Sequence, residues 1–201
     1  MPRTDRDRLV ALARSRGFLS ANAVANAGIH TQQLSRLVAD GTLERFARGR
    51  YRLAGGDVTQ HHALARAAAT APDGVVCLLS ALSFHGIGTQ LPAEVWLAVQ
   101  RGRRAPRLAK LRLRVVRYSG AAFTEGIEVH RIEGQRVRVY SVAKTVADLF
   151  KARNRVGLDV AMEALREAWR ERRFTLPELD RAAKACRVAQ VIRPYVEGVV
   201  T

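Results

Sequence analysis

The sequence predicts an α+β protein in two parts: a winged helix-turn-helix over residues 1–55, then a mixed α/β domain over residues 57–201 that ends in a helical block. Three observations lead there. Short segments of helical period, each bounded by a capping residue or a glycine, occupy residues 5–41. Two strand-like runs, LERF and RYRL, follow around the turn Ala47-Arg48-Gly49. Beyond Gly55-Gly56, strand-like runs come first and helix-like runs last.

Residues 5–16, DRDRLVALARSR, place Leu9, Leu12, Ala13 and Arg16 on one helical stripe. Asp5 and Asp7 suit the partly positive N-terminal end of that helix, and Gly17 stops it. Ser20 is a good N-cap for a second short helix over residues 21–27, ended by Gly28. A third starts near Thr31 and runs to Gly41, with Leu34, Leu37 and Val38 at i, i+3 and i+4 facing a core. Its other face carries Gln32 and Arg36, flanked by Gln33 and Ser35.

The hairpin that follows, ERFARGRYRLAG at residues 44–55, sets four arginines against the single acid Glu44. As a wing it would offer those arginines to phosphates or a minor groove, while Phe46 and Tyr51 pack back onto the helices. On the third helix, Gln and Arg side chains can pair with adenine and guanine edges. Thr31, Gln32, Gln33, Ser35, Arg36, Arg45, Arg48, Arg50 and Arg52 are thus the candidate DNA-binding residues, with double-stranded DNA as the partner. A solvated helix beside an ordinary basic hairpin, or a winged helix that binds protein, is the competing reading.

Gly55-Gly56 marks the expected boundary. An alanine-rich helix over 59–70 and a turn at Pro72-Asp73-Gly74 come next. VVCLL (75–79) is a buried strand or the entry to a helix through SALSFHG (80–86), and EVWLAVQ (94–100) reads as a strand. Residues 101–117 contain eight basic residues and no acid, and from Lys110 they alternate charged and apolar side chains as a half-exposed strand does. Arg101, Arg103, Arg104, Arg107, Lys110, Arg112 and Arg114 form a candidate second basic surface. A solvated face, a DNA-backbone contact and a dock for an acidic protein or RNA all remain open for it. GIEVHRI (126–132) and RVRVYS (136–141) pair as a hairpin across Glu133-Gly134. From Ser141 the period turns helical, with Val142, Val146, Leu149 and Phe150 inward. Helices follow over 157–172, from Thr175 or Pro177, and over 188–200, where Pro194 predicts a kink or break.

The 34 basic residues exceed the 18 acidic ones for a net charge of +16, a field that attracts polyanions. Thirty of the 34 are arginine, which a GC-rich genome also favours. No run approaches the roughly 18 apolar residues of a membrane span, and MPRTDRDRLV has no apolar core of a secretory signal, so the expected place is the cytoplasm, with no membrane partner. Cys77 and Cys186, far apart, are expected as reduced core thiols.

A two-metal nuclease could begin at Asp73, yet its next strand reads Glu94-Val95-Trp96, with tryptophan where a lysine should stand. Ser80 and His85 lack a Gly-x-Ser-x-Gly elbow and an orienting acid. His61-His62 has no ligand companions nearby and suits a surface or helix cap, His130 sits on an exposed strand face, and Gly86-Ile87-Gly88 is too slight for a phosphate loop. No catalytic residue, metal or cofactor is expected.

Three blocks carry a resemblance: LVADGTLERFARGRYRL (37–53), CLLSALSFHGIGTQLP (77–92), and VYSVAKTVADLFKAR (139–153) with Asp159, Glu163, Ala164 and Leu165. In this order they resemble the AbiEi antitoxin family, the antitoxin-repressors of bacterial abortive-infection operons, over about residues 5–199. The resemblance implies a winged helix that represses its own operon by binding inverted repeats upstream. It also implies a C-terminal domain that counters a cognate nucleotidyltransferase-like toxin without needing a stable complex, and no enzymatic activity. A solitary member without a toxin would be a plain regulator. Arg48, Gly49 and Tyr51 in the wing, and Gln32, Gln33 and Arg36, are the DNA contacts it implies. Ser141, Lys144, Thr145 and Asp148 form its candidate antitoxin cluster, although Lys144 and Asp148 at i, i+4 equally suit a plain helix pair.

Overall fold

In a computed structural model, which describes residues 4–47, 49–55, 59–106 and 111–200, the chain divides into two units. The first comprises Met1–Pro72, Pro106–Leu111 and His130–Val137; the second comprises Asp73–Ala105, Arg112–Val129 and Arg138–Thr201.

The first unit begins with α1 (Asp5–Arg16), the span the sequence predicts. Thr4 caps it reciprocally: its hydroxyl accepts from the Asp7 N–H, and the Asp7 carboxylate accepts from the Thr4 N–H. Gly17 ends the helix at φ 73. A two-residue strand, β1 (Leu19–Ser20), leads into α2 (Ala21–Asn26), where Ser20 Oγ accepts from the Ala23 N–H at 3.0 Å. Then come α3 (Gln32–Ala39), β2 (Leu43–Ala47) and β3 (Arg50–Leu53). The expected hairpin is present, and β1 adds a third antiparallel strand in the order β1-β3-β2. No period in two residues could have announced β1.

Leu9, Ala13, Leu19, Val24, Ile29, Leu34, Leu37 and Leu43 form this unit's core. Burial of each larger side chain contributes about 1.5–3 kcal/mol, and helices this short depend on it, since alone they would fray. The unit also holds α4 (His62–Thr70), with Leu64, Ala65, Ala67, Ala68 and Ala69 buried.

The second unit is built on a five-stranded mixed sheet in the order β6-β5-β4-β8-β7. Its strands are β4 (Val75–Val76), β5 (Val95–Gln100), β6 (Leu113–Tyr118), β7 (Ile127–Ile132) and β8 (Gln135–Tyr140), the last two forming the expected hairpin, of which His130–Val137 belongs to the first unit. β4 runs antiparallel to β5 and parallel to β8, and β5 runs parallel to β6. VVCLL proves to be both things the sequence allowed, a short strand and then the start of α5 (Leu78–His85). A helical turn, α6 (Ala121–Thr124), precedes β7.

The helical block is α7 (Val142–Lys151), the turn α8 (Arg153–Val156), α9 (Leu158–Arg170), α10 (Leu176–Cys186) and α11 (Ala189–Val200). α7 is buried along its whole length from Val142 to Phe150 and packs against α5, α9, α10 and α11. Pro194 does not break α11, which continues through it. The ring removes one ladder bond, and at this exposed position water can take the freed carbonyl.

Candidate nucleic-acid interface

α3 turns Leu34 and Leu37 into the core and leaves Gln32, Ser35 and Arg36 exposed, with Gln33 half-buried. The helix start is not capped as a threonine at that place suggests. Thr31 makes no side-chain capping bond; His30 Nδ1 accepts the Gln32 N–H at 3.2 Å instead. The exposed Thr31 therefore stands beside Gln32, Ser35 and Arg36 on the solvent side.

The wing is an irregular ladder. Leu43 faces Leu53, Glu44 faces Arg52 and Arg45 faces Tyr51, after which a shift brings Ala47 opposite Arg50. The Ala21 N–H donates to the Gly49 carbonyl at 3.0 Å, which ties the hairpin turn to the start of α2. Tyr51 packs against the helical core, as its place in the sequence suggested. Arg45 is exposed and Arg50 half-buried. Arg48 and the Phe46 side chain lie outside the described residues. Arg36 and Arg50 have no carboxylate partner among the described residues.

Arg52 is placed differently from its neighbours. It pairs with Glu44 across the ladder, and its Nη1 donates to His62 Nε2 at 2.6 Å. Because a guanidinium only donates, His62 Nε2 must accept, which leaves the ring proton on Nδ1 to donate to Glu133 Oε2 at 2.7 Å. Glu133 Oε1 accepts from the Thr59 N–H and hydroxyl, both at 2.9 Å. Burial alone would raise the Glu133 carboxyl, but hydrogen bonds from His62 and Thr59 hold it below the ordinary glutamate range. Of the four wing arginines, Arg52 is thus engaged within the unit. Nothing in the sequence announced this relay, since His62 and Glu133 are 71 residues apart.

The second half of the basic run 101–117 forms β6 (Leu113–Tyr118), half-exposed as its alternation suggests. Arg101, Arg103 and Arg104 are exposed in a turn after β5, whereas Arg112 and Arg114 belong to the approach and start of β6. Arg114 pairs with Glu94 at 3.3 Å and lies over the Trp96 ring at 4.6 Å. Arg107 and Lys110 lie outside the described residues.

The remaining candidates gather on α7. Ser141 caps the helix, accepting from the Lys144 N–H at 3.3 Å. Lys144, Thr145 and Asp148 have no solvent exposure. Lys144 Nζ donates to Asp148 Oδ2 at 2.6 Å and stands 4.0 Å from the Tyr140 ring centroid and 4.9 Å from that of Tyr118. Cys186 Sγ donates to Asp148 Oδ1 at 3.1 Å, and the Thr145 hydroxyl donates to the Tyr140 carbonyl at 3.3 Å. Burial raises the Asp148 carboxyl above its ordinary range, with Lys144 offsetting part of the effect. Burial, and then the Asp148 charge, push the Cys186 thiol up to about 12. A partner approaching this conformation would meet none of the three buried side chains.

Ser80, His85 and Glu94 serve the backbone or an ion pair. Ser80 Oγ accepts from the Trp96 N–H at 2.9 Å, and His85 Nε2 donates to the Tyr140 carbonyl at 2.8 Å. Glu94 is held by Arg114. Among the described residues, no three His, Cys, Asp or Glu side chains gather in a way that could hold a metal ion.

Residues 7–54, covering most of α1, then α2, α3 and the wing, match the protein-family model described as transcriptional regulator, AbiEi antitoxin. The match describes this segment alone, as similar to transcriptional regulators and antitoxins. The crystal structure of RV2827C protein from Mycobacterium tuberculosis is similar over 97% of this chain and 81% of that one, at a TM-score of 0.60 and 14% identity. At that identity the likeness is one of fold. No curated protein matches the chain. Among the described residues, no helix is long and apolar enough to cross a membrane.

Proposed function

We propose that the protein is a transcriptional repressor of its own operon and the antitoxin of a bacterial toxin–antitoxin pair, acting in the cytoplasm against a nucleotidyltransferase-like toxin. The observation that carries the DNA-reading half is the exposed Gln32, Ser35 and Arg36 face of α3, presented by the same unit as a basic wing. In this reading α3 enters the major groove, where Arg36 can fork onto guanine and Gln32 onto adenine, while Arg45, Arg48 and Arg50 hold phosphate. Arg52 acts on the inner side, keeping the wing in place through Glu44 and His62. The net charge of +16 draws the protein onto DNA before any base is read. The inverted repeats upstream of the operon are the operator. The family match over residues 7–54 supports the regulator class, and the antitoxin role extends that reading to the second unit.

Fluorescence-anisotropy titration of the protein's own upstream DNA and of a scrambled duplex, across a salt series, tests it. The expected outcome is a preference of about a hundredfold or more near physiological salt, since specific binding typically exceeds non-specific binding by at least about 10³. Arg36→Ala should cost roughly 1–3 kcal/mol at one base pair and leave scrambled binding unchanged. Arg50→Ala should weaken both duplexes and reduce the salt slope by about one. Equal, steeply salt-dependent binding of both duplexes would overturn the reading. Co-expression with the neighbouring gene tests the antitoxin half, which predicts that growth is restored only when this protein is present.

A further inference from the structure

A cleft of about 1030 Å³ opens in the second unit between the end of β6, α6, the α7–α8 junction and the end of α10. Among the described residues, six cations line it (Arg101, Arg117, Lys151, Arg155, Lys184 and Arg187), and no carboxylate does. Two of the six have partners: Lys184 pairs with Asp180 at 2.7 Å, and Lys151 Nζ donates to the Cys186 carbonyl at 2.9 Å. The four arginines have no carboxylate partner among the described residues, and all four are exposed. They come from four separate places in the chain, so no single run of sequence accounts for their meeting.

Like charges converging on one concavity repel one another, and a bound polyanion relieves that repulsion. Arg187 reinforces the point. It ends α10 at φ 59, a left-handed position that glycine usually fills, yet a guanidinium stands there and lines the cleft.

The shape narrows the ligand. Four arginines around a hollow of small-ligand size suit a compact polyanion, whereas a duplex backbone is better met by cations along an open face. The wall also carries Val115, Ala121 and Ala122, none of them buried, an apolar patch against which a base could rest. We propose that this cleft binds a compact polyphosphate, either the triphosphate of a nucleotide or a free polyphosphate. The site is separate from the α3 face and the wing, and does not depend on their reading DNA.

Isothermal titration calorimetry of the full chain with ATP and with inorganic tripolyphosphate, near physiological salt, tests it. Saturable binding close to one ligand per chain is expected. Arg117→Ala and Arg187→Gly should each weaken it by about tenfold, the scale of one charge-assisted hydrogen bond. Arg187→Gly is the cleaner variant because glycine accepts the φ of 59, so lost affinity with an unchanged melting midpoint reports the missing guanidinium. Arg131→Ala, an exposed arginine that does not line the cleft, should bind as the parent does. Tighter ATP than tripolyphosphate would assign the nucleotide, and equal affinity the free polyphosphate. Absence of saturable binding, or equal weakening by Arg131→Ala, would overturn the proposal. So would displacement of ATP from the Arg50→Ala protein by a short DNA at lower concentration than by tripolyphosphate, which would make the cleft a nucleic-acid surface.

Discussion

A lysine with no solvent exposure is uncommon unless its charge is answered, and Lys144 is answered by the Asp148 carboxylate and two tyrosine rings. Such a pair is costly to break and cheap to replace whole. Asp148→Asn strands the ammonium and should destabilise the protein by about 3–5 kcal/mol in urea unfolding. Lys144→Met combined with Asp148→Leu should recover most of that loss. A double variant as damaged as the single one would show that the tyrosine pocket requires a cation. Glu133 makes the complementary case in the first unit. Its carboxyl is held low in the folded protein, so its stabilisation is complete above the unfolded value of about 4.3 and is lost as pH falls through the lower folded value. Melting midpoints measured from pH 6 down to 3 should show an acid-side loss, and Glu133→Gln should flatten that part of the curve.

At the scale of elements, two turns meet at their glycines. Gly134 has φ 77, and a Cβ there would come within 2.6 Å of the Gly17 N and 2.5 Å of the Arg16 carbonyl carbon. A Cβ on Gly17, in turn, would overlap the Glu133 carbonyl oxygen. Gln135 Nε2 closes the meeting with a 2.6 Å bond to the Arg16 carbonyl. Gly134→Ala therefore adds overlap to backbone strain and should cost about 2–3 kcal/mol, seen as a melting midpoint lower by roughly 5–10 °C. Gly41→Ala is the control: its φ is also positive, at 75, but nothing lies within 4 Å of the added carbon, so the loss should be smaller. The sequence marked Glu133-Gly134 as a hairpin turn but could not show what passes beside it.

For the molecule as a whole, charge and burial assign different parts to different tasks. Both cysteines are buried and free, and burial raises both thiols, Cys186 to about 12. At neutral pH the reactive thiolate is therefore scarce as well as shielded. A thiol-reactive dye should label the native protein negligibly and release two equivalents only on unfolding, and rapid labelling of the folded chain would contradict this burial.

What the sequence could say followed the range of its signals. α1, the β2–β3 hairpin and the inward face of α3 are set by neighbours three or four positions away, through periodicity and glycine stops, and they were legible for that reason. The excess of arginine was legible as well, because net charge needs no coordinates. The tertiary structure alone decided which of those charges are available. Arg52 turns inward to His62 and Glu133, Lys144 and Asp148 sink into the core, and four arginines from separate places converge on one cleft. The physical reason is distance along the chain: a charge's environment depends on groups brought in by folding from 71 residues away and more, and no local pattern encodes that meeting.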